Sequence, residues 1–110
     1  MIKPLLFCIS IVAVILVAAP GKQTFTGVVT DSMCSLGDHS RMGMGPTDGE
    51  CTTACVREHG AEYVLYDGKA VYTLSDQVTP EKFAGQKVTV TGSLDAKTKT
   101  IQVDSIAAAK

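Results

Sequence analysis

The sequence predicts a mainly β fold: a small five-stranded OB-like barrel, with one helix inserted between strands 1 and 2 and a short helical turn between strands 3 and 4. Three observations carry that expectation. Short runs of β-branched and aromatic residues alternate with a period of two. Two pairs of these runs are joined closely enough to form hairpins. Their order is strand, insertion with helix, strand, strand, helical turn, strand, strand, the order of the partly open Greek-key barrel.

Taken in order, the first strand is Thr24–Asp31, where Phe25, Gly27 and Val29 alternate with threonines and Val28. Gly27 in mid-strand marks a bulge or a tight bend. From Ser35 to Gly49 periodicity disappears, and Gly37, Gly43, Gly45, Pro46 and Gly49 mark a loop. Thr47 and Glu50 have capping-box spacing, with Asp48 an equal candidate for the cap, and Gly60 closes the helix in a left-handed conformation. Ala61–Asp76 reads as a hairpin about a two-residue turn at Asp67-Gly68. Thr79-Pro80 through Gly85 reads as one helical turn: threonine cap, proline at the first position, glycine just past the end. Residues 85–106 form a second hairpin. Val88, Val90, Leu94, Ile101 and Val103 face the core, and Ala107–Lys110 is a frayed tail.

The chain of 110 residues has room for one small domain. Residues 1–21 have the layout of a secretory signal peptide: Lys3, an apolar run from Leu5 to Ala19, then Ala19-Pro20-Gly21. That run is short of the roughly 20 residues a spanning helix needs, so no stable membrane span is expected after processing. The expectation is therefore an exported protein, periplasmic or secreted, whose domain occupies residues 22–110. Removing the leader takes Lys3 with it and leaves nine basic against eleven acidic residues. Such a balance offers no basic face to phosphates and argues against nucleic acid as a partner.

The chemistry is concentrated in the insertion at 32–60. It holds Cys34, Cys51 and Cys55, both histidines (His39, His59), and Met33, Met42 and Met44. Outside the cytosol thiols are usually paired or metal-bound, and three cysteines cannot all pair within one chain. Cys51 and Cys55 lie four apart on the predicted helix, so their Cβ atoms stand about 5–6 Å apart on one face. A disulfide needs about 3.8 Å, so bonding these two requires the helix to break. Two thiolates on successive turns can instead converge on an ion, or one can reach Cys34.

The metal reading takes Cys34, Cys51 and Cys55 with His39 as the fourth ligand, a closed tetrahedral set for zinc. Thiolates also suit copper(I), and the neighbouring methionines lean that way. The Cys-x3-Cys spacing with a separate histidine is similar to the copper site of Sco-type assembly proteins, and the similarity stops at the ligands.

The alternative is a disulfide from Cys34 to Cys51 or Cys55, closing a loop of roughly twenty residues worth about 3 kcal/mol. On that reading the domain is a binding or adaptor module without metal. Its pinned loop and the tyrosines Tyr63, Tyr66 and Tyr72 would meet another envelope protein or a small ligand. A third reading, thiol–disulfide exchange through Cys51 and Cys55, needs a thiol with a lowered pKa. His59 also suits the carbonyls at a helix end, and Asp31, Asp38 and Asp48 read as turn and cap residues. No paired catalytic carboxylates, Ser/His/Asp set or phosphate loop is present, so the expectation is a protein that is not an enzyme.

The runs GVVTDSMC, CTTACVREHGAEYVLYDGKAVYTL and FAGQKVTVTGSLDAKTKTIQV, with His39 between the first two, resemble a family of short exported bacterial proteins known only as a domain of unknown function. The resemblance implies export and a Cys/His pattern, and implies no activity.

Overall fold

The computed structural model describes residues 21–40 and 43–109. The expected leader at 1–21 therefore lies outside the described residues, except for Gly21, as do Arg41, Met42 and Lys110. Five strands and two helical elements follow in order: β1 (Gln23–Asp31), α1 (Asp48–His59), β2 (Tyr63–Tyr66), β3 (Val71–Leu74), a 3-10 turn (Thr79–Phe83), β4 (Lys87–Asp95) and β5 (Thr100–Ala108).

The sheet closes on itself in the order β1-β2-β3-β5-β4, with β4 returning to β1. All neighbours are antiparallel except β3 and β5, which run parallel through Thr73↔Thr100 and Leu74↔Ile101. This is the OB-like arrangement expected, with α1 between β1 and β2 and the 3-10 turn between β3 and β4.

β1 serves two partners. Its first part pairs with β4 and its last part with β2, and Val28 is the residue shared by both registers. The strand has to bend there, and Gly27 lets it. A Cβ on Gly27 would lie 2.4 Å from the Tyr66 carbonyl oxygen. The core inside the ring is Val29, Tyr63, Leu65, Leu74, Val88, Val90 and Ile101. Each such side chain contributes about 1.5–3 kcal/mol by leaving water.

Four local expectations are revised. The β2–β3 connection is a four-residue loop, Asp67 to Ala70, because Tyr66 pairs with Val71. The Asp67 carboxylate captures the amides of Lys69 and Ala70 at 2.8 and 2.7 Å, which favours the wider turn. Thr79 lies inside its helical turn, Val78 holds the cap position without a side-chain bond, and Asp76 just ahead accepts the amides of Val78 and Thr79. The chain end is strand as far as Ala108, paired with Val88. Long β4 needs a partner along its whole length, and this overrides the weak β preference of alanine. Tyr63 is core (2% exposed), and Tyr66 and Tyr72 are half-buried.

Candidate metal centre

The insertion is pinched at its base. Ser32 donates its amide to the Glu62 carbonyl at 2.9 Å, and Glu62 returns its amide to the Ser32 hydroxyl at 3.0 Å. The excursion thus leaves and re-enters the ring at adjacent points, and its contents are held over that end of β1.

Cys34 is fixed by the last two residues of β1. Asp31 Oδ1 accepts the amides of Met33 and Cys34, both at 3.0 Å. The Thr30 hydroxyl donates to the Cys34 carbonyl at 2.7 Å. Both backbone groups of Cys34 are therefore tied to the barrel, and its thiol is buried.

Cys51 and Cys55 come from α1, whose ends follow the sequence signals. Thr47 caps the helix by accepting the Glu50 amide at 3.1 Å, and Gly60 ends it at φ 69°. A threonine cap of this kind is worth about 1 kcal/mol. The buried face of the helix is Cys51, Thr52 and Cys55. Its start sits against the chain after the 3-10 turn, where a Cβ on Gly49 would lie 2.5 Å from the Ala84 oxygen. That segment is in turn bonded to β1 through Gly85 N–H to Val29 O at 2.8 Å. An exposed Arg57–Glu81 ion pair links the same two elements.

His39 is buried beside Thr30 and Asp31. Its Nε2 lies 3.4 Å from the Thr30 hydroxyl oxygen, and its Nδ1 lies 3.9 Å from Asp31 Oδ2. Neither Nδ1 nor that oxygen has a hydrogen-bond partner. A histidine in a glycine-rich loop would ordinarily be solvated, yet the side chain of His39 is only 7% exposed.

Together these elements bring Cys34, His39 and Cys51 to one point, with their ligand atoms all within 4.8 Å of one another. Cys55 stands one turn further along and is not part of that mutually close set. It packs in one small buried cluster with Cys51 and Ala61. None of the three is in a disulfide. His59 is exposed in the last helical turn, away from the group.

Of the methionines, Met44 packs on the small cluster of Cys51, Cys55 and Ala61. Met33 is 48% exposed at the rim of an open cleft of about 250 Å³ that leads to Cys34.

The electrostatics favour a cation. Burial, then the Asp31 charge, push the Cys34 thiol up. The same two causes push Cys55 from an ordinary 9.0 up to about 12. Without a positive ion, both remain protonated at neutral pH. Asp31 is 0% exposed, and among the described residues its only basic neighbour in ion-pair range is the His39 ring. A buried carboxylate oxygen without a partner costs several kcal/mol unless a cation or proton relieves it.

Sequence reasoning read Asp31 as a turn residue. It is one, through Oδ1, but the role of Oδ2 was missed. Only the Asp31-x-x-Cys34 spacing hinted that the carboxylate and the thiol share one turn.

The fold and this site define a small OB-like β protein with a buried cysteine–histidine cluster in the excursion after its first strand. Residues 55–109 match the family described as "Protein of unknown function (DUF5818)", and the chain belongs to that family. The match covers Cys55 and β2 through β5. Cys34, His39 and Cys51 precede it, as does the GVVTDSMC run on which the resemblance also rests. No curated protein and no solved structure matches the chain. Among the described residues no helix is long and apolar enough to cross a membrane.

Proposed function

We propose that this protein is an exported, non-enzymatic domain that holds a soft metal ion, zinc or copper, in the excursion after β1. The observation that carries the reading is the buried convergence of Cys34, His39 and Cys51 within 4.8 Å of one another. Two thiolates and an imidazole are soft and borderline donors of the kind zinc and copper(I) select. Cys55 is the third thiolate. It lies on the same buried helical face as Cys51, one turn on, and a change of χ1 rotamer is the movement by which it would join the set. The unpartnered Asp31 Oδ2 and His39 Nδ1 support the reading, since they leave a buried imidazole uncommitted at one nitrogen, with a carboxylate oxygen on that side to steady the ring. Export rests on the apolar run Leu5–Ala19 and the small residues that end it.

The test is elemental analysis of the purified protein together with a thiol count. About one equivalent of zinc or copper, and thiols that react only after chelation, are expected of a thiolate-bound metal site.

A second reading is favoured by one observation, the approach of the Cys34 and Cys51 sulfurs to within 4.8 Å. Oxidation there would give a disulfide-pinned module with Cys55 as a spare thiol. Metal-free protein with one reactive thiol per chain, and a mass two hydrogens lower than the reduced chain, would establish that state instead. Thiol–disulfide exchange is the weakest reading, because Cys55 is held as a thiol by its surroundings.

A further inference from the structure

We propose that Asp31 is the positioning residue of this centre: its Oδ2 accepts a hydrogen bond from His39 Nδ1–H and so presents Nε2 to the metal. The inference rests on the metal reading above and deepens it.

The imidazole has one proton to place when neutral, and two groups compete for it. Thr30 is the first, 3.4 Å from Nε2. Its own hydroxyl proton goes to the Cys34 carbonyl at 2.7 Å, so it offers His39 only a neutral lone pair across a long contact. Asp31 Oδ2 is the second, 3.9 Å from Nδ1 and without another partner. It is fully buried and that oxygen has nothing else to accept from, so the Nδ1–H bond to it is the one that satisfies both buried atoms. Closing the gap to a hydrogen bond requires a ring tilt of about 1 Å.

Cys34, His39 and Cys51 form the mutually close set, and no Asp31 oxygen joins it. A carboxylate oxygen 3.9 Å from the histidine nitrogen and outside the ligand set has the placement of a group that orients a ligand. Its other oxygen holds the Met33 and Cys34 amides. One side chain thereby sets both the turn that places a thiol ligand and the ring that supplies the nitrogen.

Asp31→Asn separates these duties. Asparagine keeps an oxygen for the two amides and puts an NH2 group toward His39, which forces Nδ1 to accept and moves the ring proton to Nε2. Titration of the full chain with zinc is expected to show affinity lower by about 10- to 100-fold in the variant. In zinc-loaded wild-type protein, nitrogen NMR of the His39 ring is expected to show a protonated Nδ1 and a metal-bound Nε2. Equal zinc affinity of the two chains, or zinc on Nδ1, overturns the role of Asp31 and leaves the metal site standing. Failure of wild-type protein to bind zinc or copper overturns both. If the variant does not fold, the ring measurement on wild-type protein decides alone.

Discussion

The Thr30 hydroxyl donates to the carbonyl of Cys34 at 2.7 Å, joining the last inward turn of the barrel to the first thiol of the cluster. Thr30 is 0% exposed. The excursion is therefore anchored by the barrel itself, and the stability of the fold and the shape of the site are coupled at this bond. Thr30→Val keeps the shape and removes the donor. The Cys34 carbonyl retains the Gly37 amide at 2.9 Å, so the expected loss is modest, about 1 kcal/mol, read as a lower urea midpoint with unchanged slope.

The three cysteines should differ in effect. Cys51 belongs to the close set and clusters with Cys55, so Cys51→Ser is expected to abolish metal retention through dialysis. Cys34→Ser should do the same, because Cys34 belongs to the close set. Cys55→Ser should weaken retention without abolishing it. His59→Ala is the control: its side chain is exposed and away from the group, and metal content should not change.

Alkaline pH gives a signed prediction for metal-free protein. The Cys55 thiol is raised from 9.0 to about 12 in the folded chain, and Cys34 is raised as well. Below pH 9 the thiols are protonated in both states and the contribution is fully present. Between about 9 and 12 the unfolded chain releases these protons and the folded chain keeps them, so stability falls as pH rises. Urea midpoints measured from pH 8 to 11 should decline for the wild-type apoprotein and decline less for Cys55→Ala.

The seating of α1 can be tested away from any ligand. Gly49→Ala places a Cβ 2.5 Å from the Ala84 oxygen, backbone against backbone, and should cost about 1–3 kcal/mol. Because the helix start carries Cys51, metal affinity should fall with it. Arg57→Ala, which breaks only an exposed ion pair between the same elements, should change stability by less than about 1 kcal/mol.

Most of the scaffold was legible because its signals are local. Alternation in β1 and β4, the threonine cap at Thr47 and the glycine at Gly60 each depend on near neighbours. So does the spacing that puts Cys51 and Cys55 on one helical face. The features that escaped depend on distant partners. Ala107 and Ala108 are strand only because Thr89 and Val88 lie opposite them. Burial of His39 in a glycine-rich loop depends on where Thr30 and Asp31 end β1. The second oxygen of Asp31 could not be assigned from sequence, since a turn aspartate uses one oxygen and the fold decides what the other meets.

X-ray absorption at the metal edge of the purified, loaded protein tests the central claim most directly, because it reports the atoms bound to the ion. A sulfur shell near 2.3 Å from at least two thiolates, with one imidazole nitrogen at about 2.0–2.1 Å, is the predicted result for zinc. A first shell of oxygen and nitrogen alone, with no sulfur, would contradict it.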